Sequence, residues 1–308
     1  MNPTTARELQ AGGLDPEAVA AVVDTALRED LGPAGRDVTT LATVPPDLTG
    51  TADVVARADG VLAGLPVAAV VFQRVDPAVR VEARSPEGAA VARGDVVATV
   101  AGPVRALLTA ERTALNLLCR LSGVATLTRA FVRAVEGTGV RILDTRKTTP
   151  GLRALEKYAV RVGGGQNKRM GLYDVAMVKD NHVLAAGGVA AAFDKVRQAY
   201  PDLEIQVEVR DVDEAVAAVE AGATFLLCDN MTPQLLREVV RAVGGRAELE
   251  ATGSVTLQNA REYAATGVDY LSVGALTHSA PILDIAMDLR PTAGTATVPV
   301  AATGSPGR

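Results

Sequence analysis

The spacing of apolar residues changes twice along the chain. Behind Asp15-Pro16, residues Val19, Val22, Val23, Ala26 and Leu27 recur at helical spacing, which predicts a helix that ends near Gly32. The residues before it, 1–15, are polar and carry Gly12-Gly13, so they read as a frayed start; 37–50 read as loop. From Thr51 the repeat shortens. A strand is predicted over 52–58 with a turn at Asp59-Gly60, then a short helix over Val67–Val75, then strands over Val79–Glu82 and Val96–Val100. Leu107 to Val135 is a long helical stretch in which Ser122-Gly123 suggests a break. Its core side is Leu108, Leu115, Leu118 and Leu121, while Arg112, Asn116 and Arg120 make a polar stripe that by itself reads as a solvated face.

After Gly139 the pattern becomes a repeat of strand and helix. Strands are predicted at 140–143, 175–178, 205–209, 225–227, 247–249 and 270–273, with helices near 152–161, 187–199, 211–221, 232–243, 256–265 and 281–289. Six such units predict a parallel α/β arrangement, closed or nearly closed, with a doubly wound open sheet as the alternative. No GxGxxG follows a strand, and Gly163-Gly164-Gly165 follows a helix without the spacing of a phosphate-binding P-loop. The last stretch, 291–308, is rich in Ala, Thr, Gly and Pro and is predicted to be disordered.

Composition narrows the class. Apolar residues make up 48% of the 308, enough for a sizeable core, and small aliphatics suit helices layered on a parallel sheet. The net charge of −5 argues against a general nucleic-acid binder, so any cationic site is local. Cys119 and Cys228 are far apart, with no CxxC pair, no targeting segment and no run near the ~18 apolar residues that span a bilayer. A reducing cytoplasm is the expected setting.

The chemistry gathers at the ends of the predicted strands. The run Ile142–Lys147 leaves an apolar strand in Asp144, Thr145, Arg146 and Lys147. Two adjacent cations there repel each other unless an anion lies between them. The later strands end in Lys179 with Asp180, in Glu208, Asp229 and Glu250, and in Gly274. A buried strand has little reason to carry charge except at its mouth, which is where α/β barrels hold their sites. Thr252-Gly253-Ser254, which reads as opening a helix, and Gly274-Ala275, which precedes a short helical turn, look made for phosphate, since glycine lets backbone N–H groups approach an anion. Glu208 and Asp229 can hold ribose hydroxyls, or Mg²⁺ through water, or simply cap helices. Arg146, Lys147, Lys168, Arg169 and Lys179 form the basic set, with Arg112 available from the long helix. His278 lies near the phosphate turns; His182 reads as structural. No Ser-His-Asp set, Cys-His pair or His-rich cage is present. The parts fit a phosphorylated sugar meeting an anionic acceptor better than hydrolysis. A Schiff-base barrel lyase using Lys147 or Lys179 and a non-catalytic ligand-binding protein remain open.

Several longer stretches carry a resemblance: DTRKTTPGLRALEKYAVRVGGG, GLYDVAMVKDNH, VEVRD, LLCDNM and DYLSVGALTHS, with EDLGPAGRDVTT and TAERTALNLLCRLSG upstream. From about Leu27 to Leu289 the chain resembles the carboxylating nicotinate-nucleotide pyrophosphorylases, that is, the quinolinate phosphoribosyltransferases. The resemblance implies an N-terminal α/β sandwich over 1–117 beside an incomplete α/β barrel over 118–280, with a helix over 281–290 that can pack back on the sandwich. It implies transfer of a phosphoribosyl group to quinolinate with loss of CO₂ and pyrophosphate, in de novo NAD synthesis, with Mg²⁺, by a homodimer. Arg112, Arg146, Arg169 and Lys179 would face the quinolinate carboxylates, with Thr145 and Lys168 beside them. Lys147 would reach phosphates, Glu208 and Asp229 the ribose and its metal. Thr252, Gly253, Ser254, Gly274 and Ala275 would cradle the 5′-phosphate near His278, and Arg57 would enter the neighbouring subunit's site. Two positions depart from the family pattern. Lys168 stands where a histidine is usual, and Thr252-Gly253-Ser254 replaces a Ser-Gly-Gly turn. A lysine at 168 is expected to keep its charge to higher pH than a histidine and to favour a dianionic acid; another pyridine or aromatic acid remains an alternative.

Overall fold

The computed structural model describes residues 1–291. Of the predicted disordered tail, only Pro291 falls within that range, as the last residue of a strand; 292–308 lie outside it. The first half runs α1 (Pro3–Ala11), α2 (Pro16–Leu31), α3 (Val38–Thr43), β1 (Thr49–Ala56), β2 (Gly60–Val61), α4 (Leu65–Val75), β3 (Arg80–Ala83), β4 (Ala90–Val91), β5 (Val96–Pro103) and α5 (Val104–Ala134). The second half runs β6 (Arg141–Leu143), α6 (Arg153–Val162), β7 (Ala176–Val178), α7 (Asp180–Ala186), α8 (Val189–Ala199), β8 (Ile205–Val209), α9 (Val212–Glu220) and β9 (Phe225–Asp229). It ends with α10 (Pro233–Val243), β10 (Glu248–Thr252), α11 (Ala260–Ala264), β11 (Tyr270–Ser272), α12 (Ala275–His278) and β12 (Ile285–Pro291).

Two sheets organise these elements. The first is antiparallel, in the order β12-β1-β5-β3, with α4 and α5 packed against it. The second is parallel, in the order β6-β11-β10-β9-β8-β7. Its first two strands in sequence, β6 and β7, stand at opposite ends of the sheet, so the barrel is not closed. The seam between them is partly filled by the chain after α6, where Gln166 makes a parallel bridge with Leu143. The incomplete barrel expected from the resemblance is what the strand order shows. The expected domain division at 117/118 falls inside α5, which packs on α4 of one unit and α6 of the other.

Several local readings are corrected. The start is helical rather than frayed. Asn2 caps α1 by accepting from Thr5 N at 2.8 Å, and Gln73 fastens the helix by donating to Thr5 Oγ1 and accepting from Asn2 N, both at 2.9 Å. Only Thr5 and Leu9 of this helix are buried, too few for a visible period. Within the stretch read as loop, Asp37 caps α3 through Thr40 N at 3.0 Å. The helix predicted over 187–199 is preceded by α7, and Gly187 and Gly188, with φ of 90° and 140°, separate it from α8. The helix predicted over 281–290 is instead strand β12, antiparallel to β1 from Gly50↔Pro291 to Ala56↔Ile285. Ile285, Met287 and Leu289 alternate with Asp288 and Arg290 as a strand requires, but Ile282, Ile285, Ala286 and Leu289 in the same run also fall at helical spacing.

Helix α5 is continuous, so Ser122-Gly123 is no break. Gly123 has a different reason to be glycine: a Cβ there would lie 2.0 Å from the Pro281 carbonyl oxygen. The helix is therefore in direct backbone contact with the segment leading to β12, and Leu283 N donates to Cys119 O at 3.0 Å beside it. Leu115, Leu118 and Leu121 are buried as expected, but Leu107 rather than Leu108 completes the row. We expect Gly123→Ala to destabilise the protein by about 1–3 kcal/mol through overpacking, read as a lower midpoint in thermal unfolding. Asn116→Ala, on the exposed face of the same helix, should melt within about 0.5 kcal/mol of wild type.

Candidate active site

The site begins with a buried carboxylate. Asp144, the first residue after β6, is 0% exposed and turns inward instead of facing the strand mouth. It accepts from the ammonium of Lys157, also 0% exposed, from Lys168 N at 2.8 Å and from Asn167 Nδ2 at 2.6 Å. Lys157 also donates to Lys168 O at 2.9 Å, and Asn167 donates to Lys157 O at 2.8 Å. Burial pushes the Asp144 carboxyl up and the Lys157 ammonium down, each opposed by the other's charge. Asp144 is thus a brace for residues 167–168 rather than a member of the charged ring.

A second brace lies one residue away on α6. Glu156, also fully buried, accepts from Arg120 Nη2 at 2.8 Å, from Thr149 N at 3.0 Å and from Thr149 Oγ1 at 2.7 Å. Arg120 donates further to the carbonyls of Ala280, at 3.0 Å, and Thr277. Arg120 is therefore no part of a solvated stripe, although Arg112 and Asn116 are exposed. Its spacing from Arg112 and Asn116 gives no signal of this, because the partners Glu156, Thr277 and Ala280 come from distant elements.

Above these braces a cavity of about 360 Å³ opens at the carboxyl ends of the parallel strands. Thr145, Arg146, Lys147, Lys168, Arg169, Lys179, Glu208, Asp229 and Thr252 line it, all candidates from the sequence. Met177, Leu227 and Glu250 join them; the apolar pair gives no signal beyond strand periodicity. Lys179 Nζ donates to Glu208 Oε2 at 2.6 Å. Thr145 Oγ1 accepts from Lys147 N at 3.0 Å and turns the chain between the two cations and the strand. The Nε atoms of Arg146 and Arg169 are buried without a partner. Burial, reinforced by Arg146, pulls the Arg169 guanidinium below its usual range. An unpaired buried charged donor costs several kcal/mol unless an acceptor arrives.

Lys168 departs from its expectation. It does not simply add charge to the pocket. It reaches from the seam into the barrel, with a side chain 7% exposed, and donates to both carboxylate oxygens of Glu250, at 2.6 Å to Oε1. Burial lowers its affinity for a proton, against the pull of Glu250. His182 is structural as read: its Nδ1 accepts from Lys179 N at 3.0 Å.

The two glycine turns sit at the rim. Gly253 has φ of 85°, and a Cβ there would lie 2.1 Å from Asn230 Oδ1, so no other residue fits without movement. Ser254 follows with φ of 55°. This turn does not open a helix directly, since α11 begins only at Ala260. Gly274 lies against Lys147 and His278, with positions for a Cβ 3.3 Å from Lys147 Cδ and 3.0 Å from His278 Nε2. Ala275 starts the short helix α12 beside it. Arg57 and Arg112 are not brought into the cavity of their own chain. Arg57 pairs with Asp288 across the β1–β12 edge, and Arg112 is exposed on α5. Among the described residues no group of three or more His, Cys, Asp or Glu is arranged to hold a metal by itself. Glu208 and Asp229 fit one only with water or substrate completing the shell.

Five cations, three acids and two glycine turns on the carboxyl face of an open α/β barrel define an enzyme site for a substrate carrying several negative charges. The chain belongs to the quinolinate phosphoribosyltransferase family. The model of that family's N-terminal domain matches residues 37–122 and that of its C-terminal domain matches 124–288. A nicotinate-nucleotide pyrophosphorylase [carboxylating] of Mycobacterium leprae is 48% identical over 89% of this chain and 98% of its own length. The quinolinate phosphoribosyltransferase [decarboxylating] 1b of Nicotiana tabacum is 40% identical, covering 87% of this chain and 81% of that protein. The crystal structure of NadC from Streptococcus pyogenes superposes with a TM-score of 0.87 at 38% identity, covering 90% of this chain and 98% of that one. The family expected from the sequence is the one found.

The braces make a prediction. Lys157→Met leaves the Asp144 charge buried and unpaired, and should cost about 3–5 kcal/mol of stability. Adding Asp144→Asn should restore most of it. Urea unfolding of the single and double variants reads the difference; equal losses in both would show that the charges are not coupled.

Proposed function

We propose that this protein transfers the phosphoribosyl group of phosphoribosyl pyrophosphate to quinolinate, giving nicotinate mononucleotide, CO₂ and pyrophosphate, as the resemblance implies. The observation that carries the reading is the pair of buried, unpartnered guanidinium Nε atoms of Arg146 and Arg169. Lining the same cavity, Arg146 from the end of β6 and Arg169 from the seam between α6 and β7, they suit a small acid with two carboxylates. Lys147, beside Gly274 and His278, takes the phosphate side. Thr252, Gly253, Ser254, Gly274 and Ala275 form the cradle for the 5′-phosphate, and Glu208 and Asp229 hold the ribose.

In this reading the pyridine nitrogen attacks the anomeric carbon through an oxocarbenium-like state. The protein contributes position and electrostatics rather than a covalent intermediate. Once quaternised, the ring nitrogen accepts the electron pair released when the adjacent carboxylate leaves as CO₂. Mg²⁺, held by Glu208 and Asp229 through water, would neutralise the pyrophosphate. Against a Schiff-base lyase, Lys179 is already tied to Glu208. The two cysteines are free and buried, and no helix among the described residues is long and apolar enough to cross a membrane. Those facts support the cytoplasm as its setting.

We also place the active form as a homodimer. Arg57 and Arg112 lie outside the cavity of their own chain, which suits residues that serve a neighbour. Turnover with phosphoribosyl pyrophosphate against a panel of pyridine carboxylates tests the reaction; absence of any turnover with quinolinate would exclude it. Arg146→Ala and Lys147→Ala should each reduce that turnover about 30- to 1000-fold, the loss of about 2–4 kcal/mol of charge-assisted binding, with the fold intact by circular dichroism. For the dimer, inactive Arg57→Ala mixed with inactive Glu208→Ala should regain activity after subunit exchange. No recovery, with exchange demonstrated by mass, would confine Arg57 to its own chain.

A further inference from the structure

The reaction proposed above leaves one atom unaccounted for. When the carboxyl group departs, its electron pair stays on the ring carbon beside the nitrogen, and that carbon must take a proton. The five cations of the cavity are unequal as donors. Arg146 and Arg169 are the weakest acids of the five, and in this reading their buried Nε atoms are taken up by the carboxylates, which leaves the lysines as the better donors. Lys147 is exposed and lies against the Gly274 turn on the phosphate side. Lys179 has a side chain 46% exposed and is held by Glu208, on the ribose side. Lys168 is different in each respect. Its side chain is 7% exposed, and its ammonium is fixed by both oxygens of Glu250. Glu250 is itself 0% exposed and accepts from Ser272 Oγ. The Phe225 ring, 6.0 Å away, forms an apolar wall beside it.

We propose that Lys168 is the catalytic acid that protonates the ring carbon after decarboxylation, with Glu250 and Ser272 as positioning residues that aim it. The step balances. The bond from ring carbon to carboxyl breaks and leaves its electrons on carbon; the Nζ–H bond breaks and a C–H bond forms. Lys168 is left as a neutral amine and regains its proton from water before the next turnover. The charged groups facing it are Glu250 from β10, Arg169 at its own side and Lys179 beyond β7. Burial makes the ammonium a readier donor than an exposed lysine, and the two neighbouring cations add to that, while Glu250 opposes it.

The inference rests on the transferase reading, and the test separates the two. Lys168→Arg keeps the charge and the Glu250 partner but is an acid weaker than lysine by roughly two to three orders of magnitude, the difference between their ordinary pKa values. In a single turnover with quinolinate and phosphoribosyl pyrophosphate, pyrophosphate and nicotinate mononucleotide are quantified together. Wild type should form them in step. In the arginine variant, nucleotide formation should fall about 100-fold relative to pyrophosphate release, and added imidazole, a diffusible acid, should restore it in proportion to its concentration. If the variant slows both products equally, or neither, Lys168 is not the acid and the transferase reading stands. If wild type releases no pyrophosphate from this substrate pair, the transferase reading fails and takes the inference with it. Should the arginine variant not fold, Lys168→Met with Glu250→Gln removes both charges and is held to the same ratio.

Discussion

A carboxylate and an ammonium meet out of reach of water at the end of the first barrel strand, and the site is built on that contact. A closed barrel would satisfy the edge of β6 with a neighbouring strand. Here β7 is on the far side of the sheet, and the chain after α6 must fill the seam without regular pairing. Asp144 and Lys157 supply what the missing ladder would have supplied, a partner for Lys168 N and one for Lys168 O, and Asn167 ties the same segment to α6 through Lys157 O. Burying the two charges is costly, and the hydrogen bonds around them are what make it tolerable. The result is that Lys168 and Arg169 leave a rigid backbone and enter the cavity at fixed angles.

Both braces depend on one helix. Glu156 and Lys157 are neighbours on α6, and they point to different clients. Glu156 holds Thr149 and Arg120, and through Arg120 the carbonyls of Thr277 and Ala280 near α12. Lys157 holds Asp144 and the seam. The cationic rim on β6, the phosphate-side turn at Gly274 and the seam residues are therefore positioned by adjacent side chains on one element. Cations crowded into one cavity push apart, and this rigid support is what keeps them facing one ligand.

The residues that line the cavity are largely legible in the sequence, because an apolar strand buried on both faces tolerates charge only where it opens to a ligand or caps a helix. The six parallel strands and the charged lining residues at their ends, Arg146, Lys147, Lys179, Glu208, Asp229 and Glu250, follow from that pattern, whereas Lys168 and Arg169 come from between the elements. The supports are not legible. Glu156 and Lys157 sit in a helical stretch whose charges look like ordinary surface, and nothing in spacing shows that both turn inward. Asp144 reads as part of the rim because its direction depends on Lys157, thirteen residues later in the chain. The last segment reads as a helix because Ile282, Ile285, Ala286 and Leu289 keep helical spacing while Ile285, Met287 and Leu289 alternate, and only the distant strand β1 decides between the two periods. The opening helix escapes notice because it buries just two residues.

That last strand has a consequence for how the chain is made. β12 pairs along β1, so the antiparallel sheet holds residues from both ends of the described chain, separated by the entire barrel. During synthesis, β1 emerges early with one edge bare, and its partner appears only after every barrel strand has been translated. The first domain to be made is thus among the last to be finished. An exposed edge of that kind is open to pairing with other chains until it is covered. A truncation that removes the final described strand would leave every barrel strand present and still leave the other sheet incomplete.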